Sequence, residues 1–191
     1  MPQGDQNSMF RLRYDTFKVR LGWKVKTQGD QEIDEFDDMP EARYIVAKGP
    51  SEIDAHWRLL PTLGPNMLAD VFPQLLHGAP APCSADCWEL SRFAIATDRL
   101  AASEDAGNPQ LGFGELSVAL MTQAWHFAKA HGIERFVTVT TAPIERMLKK
   151  LGLSVHRLGP PLRIKDESGK DVLTVACFIE VDDITRAALG L

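Results

Sequence analysis

The chain has 191 residues, a net charge of −5, 25% charged and 45% hydrophobic side chains, enough for one globular domain that buries roughly 70% of the surface its unfolded form exposes. The acidic balance excludes nucleic acid as the main ligand, because phosphate binding needs clustered Lys and Arg. No apolar run approaches the roughly 20 residues that span a bilayer, and the opening MPQGDQNSMFRLR has no apolar stretch long enough for a secretory signal, so the expected compartment is the cytoplasm.

In chain order, residues 1–8 are expected to be flexible, and 9–21 (MFRLRYDTFKVRL) read as an amphipathic helix with Gly22 as its stop. Segments 42–48 and 53–60 read as strands joined by a turn at Gly49-Pro50-Ser51. Pro65 opens a helical pattern through Leu76 that Pro73 should disturb, and 78–87 is a Gly/Pro-rich loop. Then come a strand at 87–96, a loop at 98–110, a long helix at 111–131 ended by Gly132, a strand at 135–141, and a short helix from Pro143 to Gly152. Strands near 153–158 and 171–181 and a helical turn at 183–189 complete the chain. The unit 87–96, 111–131, 135–141 should be a right-handed βαβ crossover. The order predicts an α/β fold, a three-layer α-β-α sandwich around a mixed central sheet split into a V, with residues 1–191 as one domain.

Cys83, Cys87 and Cys177 are an odd set without an export signal, so structural disulfides are not expected. Cys83-x3-Cys87 has His77 nearby but no second Cys/His pair, and no metal is expected. Glu89 and Arg92 are three apart, so strict alternation sets them on opposite strand faces. If both serve one pocket, the strand must carry a bulge or end between them. The plain alternative leaves Arg92 on the solvent face. Phe17 lies four residues after Arg13, on one helix face, and Trp23 follows at the helix exit. Seven acids fall within residues 30–41, where no Lys or Arg occurs. Among them Asp34 and Asp37 can close over a cation or pair with Arg13 and Arg58, or simply face solvent. Arg58 lies in the apolar run Trp57-Arg58-Leu59-Leu60, where burial demands a partner.

These residues in this order, Arg13-x3-Phe17-x5-Trp23-x10-Asp34-x2-Asp37, then Arg58-Leu59-Leu60-Pro61-Thr62, then Trp88-Glu89-Leu90-Ser91-Arg92-Phe93, resemble the acyl-homoserine-lactone synthases of bacterial quorum sensing. The similarity runs from about Met9 to Val181. It implies a GNAT-like fold that takes an acyl chain from acyl carrier protein, or from acyl-coenzyme A. The amine of S-adenosylmethionine is acylated, and lactonisation then gives N-acyl-L-homoserine lactone and 5'-methylthioadenosine. S-adenosylmethionine is a consumed substrate, and no cofactor is implied. By resemblance, Arg13, Phe17, Trp23, Asp34, Asp37 and Arg92 form and brace its pocket. Phe17 and Trp23 offer aromatic faces, Asp37 holds the ammonium, Arg92 holds the carboxylate and Phe93 adds a wall. Arg58 joins the charged network, and Glu89 is the candidate base, directly or through water. Members of the family carry a longer stretch before the position of Arg13, which helps build a lid over the methionine substrate; here residues 1–8 either replace that lid, are disordered, or mark a shortened form.

The acyl chain needs an apolar slot in the V, for which Trp57, Met67, Leu68, Met121, Met147 and Leu151 are possible walls. A hydroxyl of Thr138 or Thr140 could favour an oxygen on the third carbon of the chain, and packing explains both residues equally well. The acidic carrier would dock on Arg146, Lys149 and Lys150, with Arg157, Arg163 and Lys165 beyond, and the protein is expected to be a monomer. Gln110-Leu111-Gly112-Phe113-Gly114 has the glycines of a GNAT pyrophosphate loop, with its Gln one position late. Two alternatives remain from the residues: a GNAT-like N-acyltransferase using acyl-coenzyme A and another amine, and a catalytically silent ligand-binding module.

Overall fold

The computed structural model describes residues 1–102, 109–165 and 169–191. Its frame is a seven-stranded mixed sheet. β3 (Arg43–Lys48) and β4 (Ile53–Pro61) form an antiparallel pair, and β4 pairs antiparallel with β5 (Cys87–Ile95). β5 then lies parallel to β6 (Arg135–Thr141), which pairs antiparallel with β9 (Asp171–Glu180). β7 (Val155–Arg157) and β8 (Leu162–Lys165) both pair with β9. A separate two-stranded hairpin, β1 (Thr27–Gln28) and β2 (Gln31–Glu32), turns at Gly29 with φ +61°.

One face of the sheet carries α1 (Gln3–Arg13), its π-helical continuation Tyr14–Arg20, and the short α2 (Met67–Asp70). The other carries α4 (Pro109–His131) and α5 (Ala142–Lys150), with α6 (Asp183–Ala188) at the chain's end. Trp57, Leu59, Leu90, Phe136 and Ile179 from the sheet pack against Leu120, Met121, Ala124 and Ala128 of α4. Among the described residues, no helix is long and apolar enough to cross a membrane.

The sheet splits because the β5–β6 ladder is short. Only Cys87↔Arg135 through Leu90↔Thr138 pair, while β5 continues to Ile95 and β6 to Thr141. Past Leu90 and Thr138 the two strands diverge into a V. β5 also carries a bulge. His56 pairs with Ala94 and Arg58 with Ser91, so Trp57 alone faces both Arg92 and Phe93. Arg92 takes up the extra residue in the left-handed region, φ +55°, a conformation that costs a non-glycine residue about 1–2 kcal/mol.

Several expectations need correction. Residues 1–8 are not a loose end. The helix begins at Gln3, Asp5 meets Lys48 Nζ at 2.8 Å, and Ser8 Oγ accepts the Ile53 N–H at 2.9 Å. Pro73 does interrupt the 65–76 pattern, as expected, dividing it into α2 and a 3-10 turn, Pro73–Leu76. Part of the 98–110 loop is helical, α3 (Thr97–Ala102), while 103–108 and the side chains of Gln110–Phe113 lie outside the described residues. The β1–β2 hairpin and β8 were not anticipated.

Gly132 ends α4 at φ +68°, and the Ile133 N–H reaches back to the Ala128 carbonyl at 2.9 Å, the six-to-one bond of a left-handed helix stop. An added Cβ would meet nothing within 4 Å, so only backbone strain opposes a side chain there. Gly132→Ala should lower stability by about 1 kcal/mol, read as a lower urea midpoint with an unchanged slope.

Candidate active site

The bulge decides which side chains meet. Without it, Glu89, Ser91 and Phe93 would share one face and Arg92 would join α4. The extra residue instead turns Arg92 to the α1 side with Glu89 and Ser91, and sends Phe93 to the other side. Phe93, expected in the methionine-donor pocket, packs edge-on against Trp57 at 5.1 Å within the α4-side core. That placement is a correction, and the shifted register is its cause.

On the α1 side, three guanidinium groups interlock with three carboxylates. Arg13 donates through Nε to Glu32 (2.5 Å) and through Nη1 to Asp37 (2.7 Å). Arg58 grips Asp34 with Nη1 (2.5 Å) and Nη2 (3.0 Å), and also donates to Asp37 at 2.9 Å and to Ser91 Oγ at 3.1 Å. Arg92 contacts Glu32 at 3.2 Å and Asp34 at 3.0 Å. The side chains of Arg13, Arg58 and Glu32 are wholly buried, while Arg92 keeps 10% of its side chain exposed. Arg92 is thus the guanidinium of the three with a surface left for a ligand.

Local sequence explains how the carboxylates arrive. Asp34 caps the 3-10 turn Glu35–Asp38, accepting the Phe36 N–H at 3.1 Å, and Asp37 returns a carboxylate oxygen to the Asp34 N–H at 2.9 Å. This reciprocal box fixes both aspartates in space. Asp37 also accepts the Tyr44 hydroxyl at 2.7 Å. Both its oxygens are therefore engaged, which leaves little room for the ammonium role. Burial alone would raise the Asp37 pKa, but Arg13 and Arg58 outweigh it and hold the carboxyl well below its usual range. Burial likewise disfavours charged Arg13, and Asp37 and Glu32 more than offset it.

Phe17 and Trp23 stack with ring centroids 5.2 Å apart and planes 12° from parallel. The stop at Gly22 (φ +70°) brings the Trp23 N–H onto the Phe17 carbonyl at 2.8 Å, and the ring contact is the apolar pair that accompanies such a stop. Phe17 is buried and lies 5.6 Å from the Arg92 guanidinium carbon, while Trp23 is half-buried.

Glu89 is 1% exposed. The Met67 N–H donates to its Oε1 at 3.1 Å and the Leu68 N–H to its Oε2 at 2.7 Å. Burial raises its pKa to about 7, against the lowering effect of those two amides and, more weakly, of Arg58 and Arg92. Met67 bridges the two parts of the site: its sulfur lies 3.4 Å from both Arg58 Nη2 and Arg92 Nη1.

The candidate acyl walls separate. Trp57 and Met121 line a narrow apolar slot of about 20 Å³ on the α4 side, with Leu90 and Phe136. Leu68 packs on the opposite face with Leu75, Leu76 and Val137. Met147 and Leu151 are exposed, at 38% and 45%, and are not interior walls. α5 instead buries Ala142, Glu145 and Leu148, because Glu145 turns inward to accept from Arg157 Nε at 2.8 Å. Thr138 donates its hydroxyl to the Leu90 carbonyl at 2.9 Å, and Thr140 is half-buried on the same strand face. Arg146, Lys149 and Lys150 are exposed, and Lys149 lies 2.7 Å from Glu145.

Glu32 is the site residue missed from the sequence. Its signal was the Gly29-Asp30 pair, a two-residue hairpin turn. His56 was missed too. It is fully buried, neither ring nitrogen has a partner among the described residues, and burial with Arg13 and Arg58 nearby lowers its pKa well below the usual value.

Removing Arg58 would strand Asp34 and Asp37 in the interior. Arg58→Met should cost about 3–5 kcal/mol of stability, measured by urea unfolding at neutral pH.

The autoinducer synthase family model matches residues 1–189. An acyl-homoserine-lactone synthase of Pseudomonas aeruginosa is 37% identical over 183 residues, covering 95% of this chain and 85% of that protein. The crystal structure of the AHL synthase LasI superposes with a TM-score of 0.84 at 35% identity, covering 99% of this chain and 89% of that one. TofI, in a ternary complex with an inhibitor and MTA, gives a TM-score of 0.78 at 31% identity, covering 100% and 91%. Matched along almost its whole length by the family and by relatives more than a third identical, this chain belongs to the autoinducer synthases, the acyl-homoserine-lactone synthases.

Proposed function

We propose that this synthase acylates the amine of S-adenosylmethionine with a chain delivered by acyl carrier protein and closes the product to an N-acyl-L-homoserine lactone for quorum sensing. The observation that carries the reading is a buried Glu89 held near neutral pKa on the same sheet face as Arg92 and the Phe17–Trp23 stack. Arg92, the partly exposed guanidinium, binds the methionyl carboxylate. Trp23, with its half-buried ring, lies against the sulfonium or adenine. Arg13, Arg58, Glu32, Asp34 and Asp37 hold that arrangement rather than touch substrate. The likeness to TofI, whose structure contains MTA, supports a methylthioadenosine-sized site in this fold.

The chemistry then follows. The amine nitrogen attacks the thioester carbonyl, backbone N–H groups along the diverging strands stabilise the oxyanion, and the carbon–sulfur bond breaks to release the carrier thiol. The amine proton passes to Glu89, directly or through one water. A free carboxyl would be a poor acceptor for an amine whose pKa is about 8. At about 7, Glu89 is mismatched by only roughly one unit, about 1.4 kcal/mol. The methionyl carboxylate oxygen next attacks the carbon attached to the sulfonium. That second carbon–sulfur bond breaks, neutral methylthioadenosine leaves, and the lactone ring closes. No step needs a covalent acyl-enzyme.

The base form of Glu89 is the carboxylate, so the rate of amide formation should rise as pH climbs through about 7. Glu89→Gln should lower kcat by roughly 10²–10⁴-fold and remove the rise near 7, leaving only the substrate amine's own titration near 8, with methylthioadenosine release as the readout. A flat profile in the wild-type enzyme would remove Glu89 from the base role.

Arg146 and Lys150 form the exposed basic face of α5, suited to an acidic carrier. Reversing both, Arg146→Glu with Lys150→Glu, should raise KM for acyl carrier protein by roughly tenfold or more, with KM for S-adenosylmethionine unchanged. Equal use of acyl-coenzyme A by wild type and variant would separate the two donors.

A further inference from the structure

Met67 touches the charged cluster through an atom that the reaction does not need, its sulfur. The side chain is half-buried, and the sulfur accepts from Arg58 Nη2 and from Arg92 Nη1, each at 3.4 Å. Met67 is also fixed through its backbone, because it opens α2 and its N–H donates to Glu89 Oε1 at 3.1 Å. The two guanidinium groups beside the sulfur are held unequally. Arg58 is wholly buried and donates to both oxygens of Asp34, to Asp37 and to Ser91. Arg92 meets Glu32 and Asp34 and keeps part of its surface open. A thioether is a weak acceptor, so its contact leaves Arg92 available for a stronger one. The other methionines lie in different surroundings: Met9 and Met121 are buried in apolar cores, and Met1 and Met147 stand on the surface.

We infer that Met67 is an oxidation site: a hydroperoxide converts its thioether to the sulfoxide, and the new oxygen takes the guanidinium that would otherwise bind the methionyl carboxylate. The oxidation stands on the position of the sulfur. Its effect on substrate rests on the synthase reading above, in which Arg92 holds that carboxylate. With hydrogen peroxide as oxidant the step balances. A sulfur lone pair attacks one peroxide oxygen, the sulfur–oxygen bond forms and the oxygen–oxygen bond breaks. The departing hydroxide takes the proton left on the transferred oxygen, so the products are the sulfoxide and water. Sulfur gives up two electrons and the peroxide gains them. Arg58 and Arg92 lie beside the sulfur, where they stabilise the charge that develops on the departing oxygen. The 3.4 Å between sulfur and each guanidinium nitrogen is too short to admit an oxygen in line, so one group must turn. Arg58 is locked by Asp34, Asp37 and Ser91, and Arg92 is the one that turns and donates to the sulfoxide. A sulfoxide is polar and chiral, so the epimer whose oxygen faces the two guanidinium groups is the one that closes the site. Methionine sulfoxide reductases, one enzyme per epimer, reverse it.

The test treats wild type, Met67→Leu and Met67→Gln with increasing hydrogen peroxide and then removes the peroxide. Peptide mass spectrometry locates the added oxygen, calorimetry gives the Kd for S-adenosylmethionine, and circular dichroism reports folding. In wild type, Met67 should gain one oxygen and the Kd should rise roughly tenfold or more, the loss of one hydrogen bond to a charged group, with the circular dichroism spectrum unchanged. Methionine sulfoxide reductase should then restore the Kd. Met67→Leu has no sulfur to oxidise, so its Kd, whatever its value before treatment, should not change. Met67→Gln carries an amide oxygen in place of the sulfoxide oxygen and should show the raised Kd without peroxide. Wild type that gains oxygen only at other methionines, or that carries the Met67 sulfoxide with an unchanged Kd, overturns the inference while leaving the synthase reading intact. An equal loss of affinity in treated Met67→Leu does the same. Folded, untreated wild type that binds no S-adenosylmethionine overturns the carboxylate role of Arg92 first, and this inference with it.

Discussion

Everything at this site hangs on burying three guanidinium groups with three carboxylates. None of the six could be taken from water alone, because an isolated buried ion costs several kcal/mol even after relaxation. Together they are neutral, and each guanidinium touches more than one carboxylate. The cluster joins parts of the chain far apart in sequence: Arg13 at the end of α1, Glu32 on the β1–β2 hairpin, the Asp34–Asp37 box, Arg58 on β4 and Arg92 on β5. Its value lies in position more than in stability, since an apolar replacement of similar volume could hold a core equally well. What such a replacement could not do is present one partly exposed guanidinium beside a stacked aromatic pair.

The bulge makes that cluster and the buried Glu89 compatible. Arg92 in the left-handed region lets one strand direct Glu89, Ser91 and Arg92 to one side and Leu90 and Phe93 to the other. The charged cluster with Glu89 and the apolar slot then occupy opposite faces of the same sheet. The ladder between β5 and β6 ends at Leu90 and Thr138, where the strands part. The strain at Arg92 is offset by the ion pairs it allows. Glu89, set against α2 rather than against Arg92, escapes most of the neighbouring positive charge and keeps a raised pKa.

Much of this was legible in the sequence, and the gaps have physical causes. Long periodic segments such as α4 and the β-branched β6 announce themselves through patterning. A Glu and an Arg three apart on a strand already implied a bulge if both serve one pocket. The same bulge was not carried forward to Phe93, whose side the register alone decides. Met147 and Leu151 misled because α5 has two apolar stripes, and the choice between them depends on Glu145 finding Arg157 across the fold. Glu32 sits in a two-residue strand too short to show periodicity. The Glu89 pKa was a contest between burial and nearby cations, and only distances could decide it.

The most direct measurement is a crystal structure of the synthase with S-adenosylmethionine bound. The account places the methionyl carboxylate on Arg92, the sulfonium or adenine against Trp23, and the amine within one water of Glu89, with the Arg13–Glu32 and Arg58–Asp34 pairs unchanged. Density for the ligand away from Trp23 and Glu89, or a cluster that must break its buried ion pairs to admit it, would contradict the central claim.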